Sequence, residues 1–144
     1  MANPLIYQGP VPFPVHGALE YVAGIAFIAA PLLLDYEAGA AVAISILVGI
    51  VILLIAATTE GPTSLVNALS LSVHVVLDYV LALFLIASPF LFDFGGETAP
   101  TVFFIGLGVV HLLLTIGTRF SNAPVKPDTT NSLEKREAPP EGRL

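Results

Sequence analysis

Cysteine is absent from this chain, and so is tryptophan. Without a thiol there is no disulfide, no thiolate nucleophile and no Cys-based metal site. Charge is scarce too: Asp, Glu, Lys and Arg make up 11% of the 144 residues, against about a quarter in ordinary soluble proteins. Positive charge is missing altogether before Arg119, because the other basic residues are Lys126, Lys135, Arg136 and Arg143. That excludes a basic face for nucleic acid. It also leaves residues 1–14 without the basic n-region of a signal peptide, so the first apolar run is expected to stay in the mature protein. No phosphate-binding loop of the G-x-x-x-x-G-K-[ST] or G-x-G-x-x-G kind is present.

What fills the chain instead is apolar. Hydrophobic residues make up 56%, and the mean hydropathy is +0.89. Four runs stand out, at 15–34, 39–58, 72–92 and 99–118, and the only charges in them are Glu20 and Asp78. About 20 helical residues cross a hydrocarbon core of about 30 Å. The runs do not alternate in polarity, which argues against a barrel. The expected fold is all-α: an integral membrane four-helix bundle. Basic residues gather after the fourth run, and the loops after the first and third carry only Asp35, Glu37, Asp93 and Glu97. The positive-inside rule then predicts both termini in the cytoplasm.

The chain also repeats itself. The stretch from His16 to Tyr36 returns 58 residues later as His74 to Phe94, with nine of 21 paired positions identical. Each copy is followed by a further apolar run, so the bundle reads as two tandem helical hairpins. An even number of crossings separates them, so they should share one orientation, related by an axis along the membrane normal. The expected organisation is an interfacial Pro-rich arm over 1–14, anchored by Tyr7 and Phe13, and a first hairpin over 15–58. A linker follows over 59–71, with Thr63 or Ser64 capping a short interfacial helix or an early start to the third run, then a second hairpin over 72–120. A disordered cytoplasmic tail covers 121–144.

Each copy carries a proline tripeptide near the end of its first run, Ala30-Pro31-Leu32 and Ser88-Pro89-Phe90. On these the chain resembles the SPW-repeat integral membrane proteins of bacteria. Those are built from a two-helix unit with Ser-Pro-Trp near the outer end of its first helix. Ser88-Pro89 keeps two letters of the motif, the first copy keeps the proline, and neither keeps the tryptophan. The resemblance covers roughly 15–118. It implies membrane location and two hairpins, and brings no activity with it.

Both copies kept a histidine four residues before a carboxylate: His16 with Glu20, His74 with Asp78. That spacing puts each pair on one helix face. Ionisable groups in a span normally face the bundle interior. The simpler reading is local structural pairing. The alternative is a shared site in which His16, Glu20, His74 and Asp78 hold a divalent metal or relay protons. Tyr21 and Tyr79 read as packing residues. Pro31 and Pro89 read as kinks that free the carbonyls of Phe27 and Leu85. Asp35 and Asp93 read as caps of the following helices or as interfacial contacts. His111 has Ile52 at its place in the first hairpin and reads as a lone bond to a neighbouring helix.

No catalytic arrangement and no cofactor motif is evident. The expected function is a non-enzymatic scaffold or accessory subunit in a bacterial cytoplasmic membrane. Its partners would be the lipid bilayer and a homo-oligomer or larger membrane complex, and not nucleic acid. The alternative is ion, proton or metal handling through the His/carboxylate pairs.

Overall fold

Four uninterrupted runs of helix-forming apolar residues give four helices in the computed structural model, which describes residues 9–120. They are α1 (Phe13–Leu33), α2 (Gly39–Thr58), α3 (Leu71–Leu91) and α4 (Thr98–Gly117). All four are long and apolar enough to cross a membrane. Large side chains such as Val22, Leu32, Leu83, Val102 and Leu113 are exposed along them, as expected of a surface whose solvent is hydrocarbon. The protein is a multi-pass membrane protein in a lipid bilayer. The tail expected over 121–144 and the anchoring place of Tyr7 fall outside the described residues.

The helices pair as hairpins, α1 chiefly with α2 and α3 chiefly with α4. Small residues permit the contact. A Cβ on Gly49 would lie 2.6 Å from the carbonyl oxygen of Gly24, so the first hairpin closes with backbone nearly against backbone. Both hairpin turns are built alike. The amides of Leu34 and Phe92 bond back to the carbonyls of Ala30 and Ser88, and those of Tyr36 and Phe94 to the carbonyls of Pro31 and Pro89. Asp35 and Asp93 stand at the turn with φ of 52° and 56°, a left-handed conformation that Asp tolerates better than most residues. They turn the chain, and the expected capping role falls to another residue. Glu97 of the second hairpin accepts the amides of Glu37 and Ala38 at 2.8 and 2.9 Å, holding the N-cap residue of α2 and the one before it from the other hairpin, with its charge beside the helix N-terminus.

Proline inside α1 and α3 frees a carbonyl one turn back. At Phe27 that carbonyl accepts the Ser45 hydroxyl of α2 at 2.6 Å. It is satisfied within the first hairpin and lines no site. The mid-bundle core is apolar, with Phe27, Val48, Ile52, Leu81, Leu85, Phe94 and Phe104 buried together.

The linker differs from expectation. No helix forms between α2 and α3. The amides of Leu65 and Val66 bond to Ala57 O, and those of Ala68 and Leu69 to Thr58 O. The open carbonyls at the end of α2 need donors, and the linker supplies them. Ser70, at φ −66° and ψ 147°, is the N-cap of α3, in place of Thr63 or Ser64. A two-residue parallel pair, β1 (Val11–Pro12) with β2 (Thr118–Arg119), ties the N-terminal arm to the end of α4. Phe13 sits just inside this tie and is 4% exposed, so it is a core residue and does not anchor at the interface.

Candidate functional site

The pairs that the repeat singled out meet at the terminal end of the bundle. Each lies in the first two turns of its helix, on α1 for His16 and Glu20 and on α3 for His74 and Asp78. All four are buried. His16 Nε2 is 3.6 Å from Glu20 Oε1 and 3.2 Å from Asp78 Oδ2. His74 Nε2 repeats this, at 3.6 Å from Glu20 Oε1 and 3.2 Å from Asp78 Oδ2. One donor atom from each of the four lies within 4.8 Å of every other. Neither imidazole is confined to the carboxylate on its own helix. The four side chains form a single cluster across the two hairpins.

Two threonines set the chemistry of the histidines. Thr118 Oγ1 lies 2.9 Å from His16 Nδ1 and donates to Leu114 O at 2.6 Å. Thr59 Oγ1 lies 2.8 Å from His74 Nδ1 and donates to Ile55 O at 2.6 Å. A hydroxyl has one hydrogen. Here it goes to the helix carbonyl, so the threonine oxygen accepts from Nδ1–H. The proton of each neutral ring is thereby fixed on Nδ1, and the Nε2 lone pair points at the carboxylates. Such a bond behind an imidazole orients it as a ligand and raises its basicity.

The threonines were not singled out by sequence reasoning. They hold matching places at the ends of the two second helices, 59 residues apart, and that pairing was the available signal. They also cross over. His16 of the first hairpin is held by Thr118 of the second, and His74 of the second by Thr59 of the first.

His111 joins from α4, with Nε2 3.6 Å from Asp78 Oδ1. As expected of a histidine in a span it contacts a neighbouring helix, here α3, and through Asp78 it adjoins the cluster. Asp78 thus faces three imidazoles, and Glu20 faces two. Nε2 of His16, His74 and His111 and both oxygens of Asp78 have no hydrogen-bond partner among the described residues. Over the cluster lie Phe13 and Phe120, with ring centroids 5.7 Å apart. Phe120 is 5.2 Å from the His16 ring, and Phe13 is 5.9 Å from the His74 ring. They close the terminal side, and the apolar core closes the other. Tyr21 does more than pack, because its hydroxyl donates to Thr63 O at 3.0 Å and draws the linker over the same end.

Unpaired lone pairs turned on carboxylates in a buried place require positive charge between them. Protons on both Nε2 atoms would supply it through charge-assisted bonds, which run about 2.7–2.9 Å. A tetrahedral zinc-type ion with ligand bonds of about 2.1 Å would supply it with ligand atoms about 3.4 Å apart. The four N–O separations, 3.2 to 3.6 Å, bracket the second value and exceed the first, while the set as a whole spans up to 4.8 Å, so an ion would draw the like pairs closer to complete a tetrahedron.

Among protein families, residues 14–118 match the SPW repeat domain. No curated protein and no solved structure matches the chain.

Proposed function

The chain belongs to the SPW repeat domain family, and on that premise we propose that this repeat pair holds one divalent cation of the zinc class. The ligands are His16 Nε2, His74 Nε2, one Glu20 oxygen and one Asp78 oxygen, two from each hairpin. The observation that carries the reading is that four buried donor atoms converge within 4.8 Å, with N–O separations of 3.2 to 3.6 Å, on rings fixed by Thr59 and Thr118. Two carboxylates balance a divalent ion, so the filled centre is neutral, as a low-dielectric interior favours. Four protein ligands close the coordination sphere, which is the pattern of a structural rather than a catalytic ion.

The ion is resident and not conducted. Beyond the cluster lie Phe27, Leu81, Leu85 and Phe104, all buried and apolar, and the buried hydroxyls of Ser45 and Ser88 are already committed to the carbonyls of Phe27 and Phe84. The protein is then a non-enzymatic membrane scaffold or accessory subunit whose two hairpins are joined by a metal. Both termini lie in the cytoplasm of a bacterial cell, with the cluster at that side of the bilayer, a reading supported by the late basic residues. Self-association or entry into a larger complex fits the scaffold role.

Metal analysis of the full chain, purified in mild detergent without chelator, tests the reading. One equivalent of zinc per chain is expected. It should be lost in His74→Gln and in the double change His16→Gln with Glu20→Gln, while helicity and monodispersity survive. A wild-type chain that neither retains nor takes up zinc, cobalt or manganese would overturn it.

A further inference from the structure

His16, Glu20, His74 and Asp78 are between 0 and 2% exposed, so an ion reaches them only when something moves. On the inner side the way is shut by the buried apolar core. On one flank a groove between α1 and α4 runs in as far as Glu20, but Leu19, Val22, Leu107 and Val110 wall it. Val22 and Val110 belong to the exposed apolar surface of the spans, where a cation is strongly disfavoured. The remaining approach is the terminal side, under the rings of Phe13 and Phe120.

The cover on that side is closely seated and weakly tied. Gly9 lies so near Gly117 that a Cβ would fall on its carbonyl, and a Cβ on Gly61 would lie 2.5 Å from Phe13 Cε1. Yet Phe13 is the first residue of α1, and the first amides of a helix have no partner within it. Pro12 gives that helix no side-chain cap, and neither Pro12 nor Pro14 has an amide to bond. Two residue pairs, Val11 with Thr118 and Pro12 with Arg119, join the arm to the end of α4. Thr118 is also the residue behind His16. The cover and the support of one ligand therefore meet in the same short ladder. The threonine behind His74 is held elsewhere, since Thr59 is bridged to Leu69 of the linker.

We propose that residues 11–13 form a strap over the cation site, and that the ion is exchanged when β1 parts from β2 and carries Phe13 outward. This rests on the resident ion proposed above and adds the route by which it enters and leaves. Segments with few ties open locally at far less cost than the whole fold. A gate of this kind acts on the barrier, so it slows capture and release together and moves the affinity much less than either rate.

A cross-link tests it. Pro12 and Arg119 are exposed register partners, paired strand residues stand at a spacing that a disulfide spans, and the chain has no cysteine of its own. Pro12→Cys with Arg119→Cys is prepared in two forms. One is oxidised. The other is reduced and capped with iodoacetamide, so that no free thiolate binds zinc. Both are loaded with zinc in mild detergent, and release to excess chromogenic chelator is timed. The capped form is expected to match the wild-type chain, and the oxidised form to release zinc at least about tenfold more slowly, since a cross-link disfavours the parted strands. Phe13→Ala should release it about 10–100-fold faster, the factor that the burial of one phenyl ring supplies. Each form should still hold one zinc per chain. Equal release from the oxidised and capped forms overturns the strap. So does a slowing matched in full by tighter equilibrium binding, or unchanged release from folded Phe13→Ala. These results leave the resident ion standing, whereas a wild-type chain that takes up no zinc removes the ion and the strap together. The two cross-link forms share one sequence, so a misfolded Phe13→Ala chain leaves the comparison decisive.

Discussion

At the terminal end of the bundle, His16 and His74 make matching contacts at matching distances, each ring backed by a threonine and turned on both carboxylates. Half-way along, the hairpins diverge: Ala26 stands opposite Phe84 in the alignment, Ile52 opposite His111, and Ser45 opposite Phe104. At the loop end they diverge again, since Glu97 caps α2 while its counterpart Ala38 has no carboxylate to return. The agreement holds at the cluster and again in the turns at Asp35 and Asp93. A cluster residue touches both hairpins, so a change in one copy disturbs both. The buried positions between them pack differently in each copy: Ser45 bonds Phe27 O, while Phe104 stacks on Phe27 and Phe94.

The largest effect expected from this comparison is at Asp78. It is the repeat partner of Glu20, but it faces three imidazoles to that residue's two, and the two they share lie at 3.2 Å from it against 3.6 Å from Glu20. Asp78→Asn should cost about 3–5 kcal/mol, as the loss of one partner from a buried charged cluster does, and Glu20→Gln about 1–3 kcal/mol. Unfolding in mixed micelles measures both, and equal losses would mean that the cluster is symmetric in energy as well as in sequence.

Next come the threonines. Thr59→Val and Thr118→Val should each weaken cation binding by about 10–100-fold, the usual effect of removing the bond behind a ligating imidazole. Metal competition titration reads it, and a large effect at one threonine alone would break the equivalence of the two rings. Smaller again is Glu97→Ala, which should cost about 1 kcal/mol. Faster amide exchange should be confined to Glu37, Ala38 and the first turn of α2.

The smallest effect concerns Tyr36, whose counterpart is Phe94. Its hydroxyl is pushed up from 10.0 to about 12, first by burial and then by the Glu97 carboxylate. The folded chain keeps this phenol neutral where the unfolded chain ionises. Its contribution is therefore complete below pH 10 and lost as the pH rises toward 12. Tyr36→Phe should remove one late-ionising phenol from an ultraviolet titration and flatten the alkaline loss of stability, with no change near neutrality.

Most of the fold was legible because hydropathy and repetition are local properties of a string. The four helices follow from charge-poor runs, and the buried pairs from the fact that both copies kept His and a carboxylate. The match between the hairpins also put His16, Glu20, His74 and Asp78 into one hypothesis. What escaped depends on rotation between helices, which no 3.6-residue period encodes. Nothing in the run of α2 says that Thr59 will back His74 and not His16. Asp35 carries the same charge as Glu97, yet one turns the chain while the other caps a helix belonging to the opposite hairpin. Phe13 looked like an interfacial aromatic because its neighbours are prolines. The short β1–β2 tie brings it inward over the histidines instead.

The crossed threonine bonds carry a consequence for biosynthesis. Residues are made in order, so His16 enters the membrane long before Thr118 exists, and α1 must wait there with its imidazole and Glu20 uncovered. The first hairpin is therefore an unfinished object whatever its hydropathy, and insertion alone does not complete it. Its last missing bond arrives with almost the final described residue, when α4 has crossed and β2 reaches the N-terminal arm. A chain that ends short of Thr118 lacks the hydroxyl that backs His16, and with it the partner of Val11 in the β1–β2 pair. The bond from His16 to Thr118 thus joins the first helix to the end of the last, and it forms only when all four have been made.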